Sequence, residues 1–216
     1  MGPKADQSRP RKRNTAQAKG KTASARGPSP KQASPALVAE SDRSAMRIGV
    51  IADTHGYLHP AIAEIFAGVV HIIHAGDIID PATLEVLKGI APLTAVAGNL
   101  DTGELAELLP REVLGEAGGI TFAVGHKRKR LRKRLAAGRL APATGDAAPR
   151  LVVYGHEHVP GAAWVEDVLY LNPGTATAPE EEDDAATVAL VESTPAGLSV
   201  TFVPVPRRAS PESSDS

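Results

Sequence analysis

Blocks of apolar and polar positions predict the order of strands and helices from Met46 onward. MRIGVIA, VVHIIHA and LTAVA are apolar runs with the length and β-branched content of buried strands. HPAIAEIFAG and PATLEVLKGI separate them. In the first of these two segments, Ile62, Ile65 and Phe66 share one helical face, and the second has a proline near its start, as helices often do. Strand, helix, strand, helix, strand is the order of a parallel α/β sheet.

The second half of the chain leans towards β structure. Residues 111–126 predict two strands around a Gly-Gly turn, and LVVYGHEH, VEDVLYLNPG, ATVALVES and LSVTFVPV predict four more, the last two joined by a TPAG turn. A basic helix, KRKRLRKRLAAGRL, and a low-complexity loop, APATGDAAPR, lie between these groups. Two β-rich halves with helices outside them predict a sandwich of two sheets covered by helices.

The segment before Met46 differs in composition from the rest. It is rich in Pro, Ser, Ala, Gly, Lys and Arg and has no aromatic residue, so it buries too little apolar surface to offset the entropy of ordering. We expect residues 1–45 to be a disordered basic tail, residues 206–216 a short disordered tail, and residues 46–205 one domain. A solubilising tail is the default interpretation, and nucleic-acid contact through its PRKR cluster is the alternative.

A nearly neutral net charge hides an uneven distribution. The chain has 24 Lys and Arg against 25 Asp and Glu, but ten of these cations and only three of the acids precede Met46. The remainder is therefore acidic, with fourteen cations against twenty-two acids. The lack of cysteine excludes disulfides, thiolate metal sites and cysteine nucleophiles. No membrane-spanning or secretory pattern is evident, so we expect a cytoplasmic protein without membrane contact.

Carboxylate, amide and imidazole side chains follow the predicted strands. A single one of them is more often a turn residue or a cap than a ligand. His59, expected to begin a helix, and His71 and His74, inside the second strand, belong to that class; His74 is near enough to the strand end to support a ligand. Seven candidates at five strand ends are harder to explain as turn residues or caps. Oxygen and imidazole donors without sulfur suit Mn, Fe, Zn, Ni or Co. The seven are Asp53, His55, Asp77, Asn99, His126, His156 and His158.

Two of these candidates, His156 and His158, are one residue apart in VVYGHEHVPG. In a strand, residues i and i+2 point to the same face. Alternation therefore predicts that both imidazoles face the same side and that Glu157 points away from them.

The ordered motifs D-x-H, G-D, G-N-x-D, G-H and G-H-x-H resemble those of the calcineurin-like metallophosphoesterases. The compact chain and its LNPG motif are similar to the small single-domain prokaryotic phosphodiesterases of that superfamily. The resemblance covers about residues 46–205 and implies an α/β fold, a four-layer αββα sandwich of two mixed β-sheets flanked by helices. It also implies two divalent metal ions, manganese first among them. By position, it makes Asp53, His55 and His158 ligands of one ion, makes Asn99, His126 and His156 ligands of the other, and makes Asp77 the bridge between them.

The activity that the resemblance implies is hydrolysis of a phosphate ester, with phosphodiesters as the expected substrates. Two dications, two aspartates and a bridging hydroxide would carry a net charge of about +1, which attracts such an ester and can drive in-line attack on it. The catalytic candidates are Asp77, Asn99 and Asp101. We expect Asp101 to steady Asn99 or a nearby histidine rather than to bind metal.

The chain departs from the family pattern at two positions. Leu100 stands where many relatives have a histidine that helps to protonate the leaving group, and where the small phosphodiesterases often have cysteine. Leucine cannot donate a proton, which predicts slow turnover and a preference for leaving groups such as nitrophenolate. Glu157 replaces a usual threonine and is expected to matter little. Asn172, in LNPG, is either a brace for the site loop or a turn residue.

Residues 127–134 contain seven cations in eight positions. Leu131 and Leu135 would give such a helix a narrow apolar stripe, and a solvated surface helix is the favoured interpretation. The alternative follows from the position of the helix directly after His126, where its first turn could gather polyanionic substrates at the rim of the site.

Two other classes of function stay open beside the enzyme. One is a scaffold on the same fold, as in the retromer subunit that is similar to this family, has lost ligands and serves as a binding surface. Leu100 favours that class, whereas the seven retained candidates favour the enzyme. The other is a polyanion-binding protein that uses the basic tail and helix. Pairing into a homo-oligomer also stays open.

Overall fold

The computed structural model describes residues 46–140, 148–177, 185–194 and 197–207. The expected tail over residues 1–45 lies outside the described residues, as do most of residues 206–216 and of the low-complexity loop. Within the part of the chain that is described, no helix is long and apolar enough to cross a membrane.

Strands and helices follow one another largely in the predicted order. The strands are β1 (Met46–Ile51), β2 (His71–His74), β3 (Leu93–Ala95), β4 (Glu112–Ala117), β5 (Ile120–Gly125), β6 (Leu151–Val153), β7 (Gly161–Val165), β8 (Val168–Asn172), β9 (Thr187–Thr194) and β10 (Gly197–Pro204). The helices are α1 (Ala61–Ile65), α2 (Ala82–Ile90), α3 (Gly103–Leu108) and α4 (Arg128–Ala136).

The strands form two mixed sheets of five strands each. The first has the order β10-β9-β1-β2-β3, in which β1, β2 and β3 are parallel, β9 is antiparallel to β1, and β10 is antiparallel to β9. The second has the order β4-β5-β6-β8-β7, with β5, β6 and β8 parallel and β4 and β7 antiparallel. Each sheet therefore has three parallel strands whose carboxyl ends point the same way.

Alternation along β1 explains how the sheets and helices stack. Ile48 and Val50 are buried in a core shared with β5, β6 and β8, between the two sheets. Ile51 faces the opposite way and packs with Phe66 and α1 and α2 on the outer face of the first sheet. On the outer face of the second sheet, Leu131 of α4 is fully buried. The expected four-layer αββα sandwich is confirmed.

Two elements are missing from the sequence prediction. Helix α3 is only six residues long and buries a single leucine, Leu105, so it has no apolar periodicity to detect. Strand β7 is the outermost strand of its sheet, and Trp164 and Val165 are about half exposed. VEDVLYLNPG was expected as one strand, but Glu166 and Asp167 form the β7–β8 turn, and the strand is confined to β8.

Candidate metal centre

Hydrogen bonds tie the loops after β1, β2, β5 and β6 to one another. The backbone N–H of Asp53 donates to Gly76 at 3.0 Å, and that of His55 donates to Asp77 at 3.1 Å. The N–H of Gly155 donates to His126 at 3.1 Å. Side chains that are far apart in sequence therefore meet at one edge of the sandwich.

Six of the seven candidate ligands lie in two groups whose donor atoms are within 4.8 Å of one another. In one group, His158 Nε2 lies 3.1 Å from His55 Nε2 and 3.5 Å from Asp53 Oδ1. In the other, His126 Nε2 lies 3.2 Å from Asp77 Oδ2. Two ligands at about 2.1 Å from one ion can be no more than about 4.2 Å apart, and these pairs meet that limit. The groups are Asp53, His55 and His158, and Asp77, His126 and His156.

The seventh candidate, Asn99, is exposed beside the second group, and its side chain lines a cavity together with His126. His156 and His158 are exposed as well. The site is thus buried on its carboxylate side and open to solvent on its imidazole and amide side, where a substrate can enter.

Strand alternation does not set the directions of His156 and His158. Strand β6 ends at Val153, so both histidines lie in a loop, and each contributes to a different group. The prediction of a strand through both histidines was therefore wrong. Glu157 is exposed and lines a groove along α4 that none of the candidate ligands lines.

Left-handed backbone conformations are concentrated at the candidate ligands. Non-glycine residues rarely have a positive φ, which costs on the order of 1–3 kcal/mol and persists where the surrounding structure enforces it. Such strain clusters at functional sites. Five of the candidates have it: Asp53 (55°), His55 (46°), Asp77 (55°), His156 (71°) and His158 (56°).

Two glycines allow the loops to approach so closely. A Cβ atom on Gly98 would lie 2.1 Å from Asp77 Oδ1, and one on Gly155 would lie 2.7 Å from Asp53 Oδ2. No larger residue fits these positions while the carboxylates stay in place. The glycines of the G-N and G-H motifs therefore set how near the backbone comes to the candidate ligands.

Asp101 holds two of these loops together. Its buried carboxylate accepts the N–H groups of Ile78 and Ile79 at 2.8 and 2.7 Å and that of Gly98 at 2.7 Å. It thereby fixes the backbone beside Asp77 and beside Asn99 without touching either side chain in these contacts. In the structure the contacts of Asp101, a catalytic candidate from the sequence, are with the backbone of these two loops. The backbone N–H of Leu100 donates to Asp77 Oδ1 at 2.8 Å.

Hydrogen bonds from His74 and Asn172 stabilise the loops that carry the candidate ligands. His74 Nδ1 accepts the N–H of Gly76 at 3.2 Å, so its Nε2 carries the proton and donates to Thr54 Oγ1 at 3.2 Å. Asn172 does both things that the sequence allowed. Its Nδ2 donates to the carbonyl of Gly155 at 3.3 Å, and its Oδ1 accepts the N–H of Gly174 at 3.0 Å.

Sequence analysis overlooked three supporting residues. Thr175 Oγ1 donates to the carbonyl of Asp53 at 2.9 Å, and Thr177 Oγ1 donates to that of Thr54 at 3.0 Å. The Thr-x-Thr directly after LNPG was the available signal. The third is Arg111, whose guanidinium donates to the carbonyl of Gly98; nothing near it in the sequence marks it.

Burial and neighbouring charges shift the pKa values of the site in opposite directions. Burial raises the pKa of Asp53 to about 6, against the effect of His126 and His158. Burial has the same tendency at Asp77, but contact with His126 and the Leu100 N–H holds that pKa below its ordinary value. Conversely, burial would lower the pKa of His126, but Asp77 and Asp53 raise it. Burial therefore disfavours the charged form of Asp53, whereas its contacts favour the charged form of Asp77.

The donor atoms of the site fit a metal ion. Asp53 Oδ1 and His126 Nε2 are buried and have no hydrogen-bond partner among the described residues. Buried polar atoms are nearly always paired, and both of these residues belong to the two donor groups, so a metal ion would give the atoms a partner. Carboxylate and imidazole together suit hard-to-borderline divalent ions.

Comparisons with known proteins find a matching family model and similar folds. A model of the calcineurin-like phosphoesterase superfamily domain matches residues 46–195. A probable metallophosphoesterase of Methanocaldococcus jannaschii is 35% identical over 145 residues, 62% of this chain and 70% of that protein. An archaeal phosphodiesterase of known structure is similar with a TM-score of 0.54 and 22% identity, over 73% of this chain and 100% of the other. Wild-type Vps29 of Entamoeba histolytica, complexed with Zn²⁺, is similar with a TM-score of 0.52 and 17% identity, over 74% and 99%.

Proposed function

The chain belongs to the calcineurin-like phosphoesterase superfamily, and from that premise we propose that it is a metal-dependent phosphodiesterase with a two-metal centre. The observation that carries the proposal is the pair of adjacent donor groups, each with a carboxylate and two imidazoles. The left-handed backbone of five of the candidates supports it, because strain of this kind collects at functional sites.

In this proposal Asp53, His55 and His158 hold one ion, His126, His156 and Asn99 hold the other, and Asp77 lies between them. Manganese is the expected metal, with Fe, Zn, Ni or Co as alternatives. Two divalent ions held there would polarise the phosphate ester and activate water for in-line displacement near neutral pH.

The remaining residues of the site keep these side chains in place. Asp101 fixes the loops that carry Asp77 and Asn99 through three backbone bonds, and the Leu100 N–H orients one oxygen of Asp77. Exposure of Asn99, His156 and His158 leaves that side open for the phosphate ester. We expect the ester to bind there and its leaving group to take any proton from solvent, because Leu100 offers it none.

The first test is hydrolysis of bis-p-nitrophenyl phosphate by metal-stripped protein, before and after addition of Mn²⁺. We expect turnover only with metal, and its loss in His156→Ala. The matched control is His59→Asn, since His59 lies outside both groups and its Nδ1 accepts the N–H of Ala61, which asparagine can also do. Failure to bind any metal would contradict the proposal.

A scaffold without catalysis is the second candidate, and Leu100 is the observation that favours it. Vps29, a structural neighbour at low identity, is described in complex with Zn²⁺, so binding of metal does not by itself separate the two candidates. Turnover does. Protein that binds Mn²⁺ in both groups and leaves bis-p-nitrophenyl phosphate intact would favour the scaffold.

A further inference from the structure

Helix α4 brings an unusual density of positive charge to the rim of the proposed metal centre. Seven of the fourteen Lys and Arg residues after Met46 lie in residues 127–134. This helix begins at Arg128, two residues after His126. Its buried Leu131 and the stacking of Arg128 over Tyr154, at 5.2 Å from the ring centroid, fix it on the second sheet. The charges therefore have a defined place relative to the site.

A cavity of about 260 Å³ lies between the start of α4 and the candidate ligands Asn99 and His126. Small-molecule pockets begin at roughly 300 Å³, so a phosphate group with part of a sugar would fill it. Three cations and one acid line it, Arg111, Lys127, Arg130 and Glu112. The cavity is positively charged although the domain as a whole is acidic.

The four charged side chains that line the cavity differ in whether they are already paired with an opposite charge. Glu112 contacts Arg130 and also lies 3.6 Å from Arg134 Nε, so it offsets the charge of Arg130. Among the described residues, neither Arg111 nor Lys127 lies within 4 Å of a carboxylate oxygen. The Arg111 guanidinium is oriented by its bond to the Gly98 carbonyl, directly before Asn99. Arg111 and Lys127 are thus two cations that line the cavity and are available to an anion.

We infer that this cavity binds a second phosphate group of the substrate, held by Arg111 and Lys127. The inference rests on the proposed function and narrows its substrate class to phosphodiesters that carry a further phosphate beyond the scissile one. Such phosphates occur in nucleoside bisphosphate esters and in short oligonucleotides. Charge-assisted hydrogen bonds from guanidinium and ammonium to phosphate are the chemistry of recognition.

A second groove, of about 560 Å³, follows the other side of α4 past Arg128, Lys129, Arg132 and Lys133. It contains more cations, but the only residue of the site loops that lines it is Glu157. None of the candidate ligands lines it, whereas the first cavity shares Asn99 and His126 with the site. A molecule whose scissile phosphate is at the metal centre reaches the first cavity directly, and this decides between the two.

Two chromogenic substrates that differ only in a second phosphate group test this inference. Thymidine 5′-(p-nitrophenyl phosphate) and its 3′-phosphate derivative share the scissile diester and the leaving group. With Mn²⁺-loaded full-length protein, we expect kcat/KM to be at least about tenfold higher for the 3′-phosphorylated compound, through KM. The preference should shrink as ionic strength rises, because the cavity is open and screened by salt.

Lys127→Met should remove most of this preference, and Lys133→Met, which removes the same charge from the other side of the helix, should leave the preference ratio unchanged. If both variants reduce the ratio equally, the effect is a diffuse field and the inference fails. Hydrolysis of both substrates with the same kcat/KM would also overturn it, while the proposed function would stand.

If neither compound is hydrolysed, the proposed function fails and binding decides the inference. Calorimetry on metal-free protein then compares thymidine 3′,5′-bisphosphate with thymidine 5′-monophosphate. A tighter bisphosphate complex that Lys127→Met weakens and Lys133→Met does not would support the second-phosphate site. Equal affinity for the two nucleotides would overturn it.

Discussion

The backbone of Leu100 holds a candidate ligand in place, whereas its side chain can neither donate a proton nor form a hydrogen bond. Its N–H orients Asp77, and its side chain is 48% exposed at the rim of the site. A substitution can therefore change the side chain and keep the backbone contact. This separation makes the position suitable for adding a proton donor.

Leu100→His should raise kcat on a diester with an alcohol leaving group, such as a thymidine dinucleotide, by at least about tenfold, because general acid catalysis contributes about 10²–10⁴. On a p-nitrophenyl diester the gain should be absent, since nitrophenolate leaves without a proton. Leu100→Asn is the control, being polar but unable to give a proton at neutral pH. Equal gains on both substrates would refute this account of Leu100.

Gly98 offers a comparison with another glycine of the same chain. Gly98→Ala should abolish Mn²⁺ binding and lower the free energy of unfolding by about 1–3 kcal/mol, because its Cβ would overlap Asp77 Oδ1. Gly89→Ala, in α2, should raise that free energy by about 0.5–1 kcal/mol, because the new Cβ would meet nothing within 4 Å outside the backbone of its own helix. Calorimetric metal titration and urea denaturation measure the two effects. If Gly98→Ala kept its metal affinity, the close approach of Gly98 to Asp77 would not be required for metal binding.

The identity of the candidate ligands could be predicted from the sequence, but their directions could not. Asp53, Asp77 and His126 follow apolar runs that end at one edge of a sheet, and periodicity is enough to find them. The division of His156 and His158 between two groups was implied by the family resemblance and not by strand alternation, because it depends on left-handed backbone after β6. That conformation is imposed by the packing of several loops, and no local pattern encodes it.

Strand β2 carries a buried histidine whose protonation couples stability to pH. Burial lowers the pKa of His74 from 6.5 to about 4, against the effect of the nearby Asp101 carboxylate. The unfolded chain then binds a proton that the folded chain does not. The stabilising effect is complete above pH 6.5 and is lost as the pH falls towards 4.

The stability gap between wild type and His74→Gln should therefore narrow by roughly 2 kcal/mol between pH 7 and pH 5. Urea denaturation with chelator present at each pH measures it, and the comparison with the variant cancels the contribution of other titrating groups. A gap that is independent of pH would show that His74 is not the neutral, buried group described above.

Helix α3 and strand β7 show where prediction from periodicity ends. Both are short and bury little: α3 is held by Leu105 alone, and β7 has a neighbour on only one side. A periodic pattern of apolar residues indicates an element that buries one face. Short elements at the surface bury too few side chains to produce such a pattern. The Gly-Gly hairpin of β4 and β5 was predictable because Gly118 and Gly119 supply the two positive φ angles that its turn requires.

The chain as a whole has its described core between Ile48 and Val205. A variant that begins at Met46 should therefore keep its unfolding midpoint within about 5 °C of the full-length protein and keep its metal-dependent turnover. Differential scanning calorimetry and the bis-p-nitrophenyl phosphate assay check both. A larger drop in the midpoint would mean that residues 1–45 contribute to the fold, against the domain boundary proposed from composition.

The same truncation separates the basic tail from the basic helix as polyanion sites. It removes ten Lys and Arg residues and leaves the seven of residues 127–134. Retention of nucleotide binding by the truncated protein would assign that binding to α4 and its cavity. Loss of it would assign it to the tail.

Trp164 on the edge strand β7 is the only tryptophan of the chain and is 51% exposed. Its fluorescence therefore has a single origin, and its emission in the native protein should already be shifted towards the red by water. Unfolding will change that wavelength little, which makes circular dichroism the better probe of stability. A blue shift at rising protein concentration would report that β7 has been covered by a second chain. The tryptophan fluorescence spectrum of this protein therefore reports the environment of β7 at the edge of the second sheet.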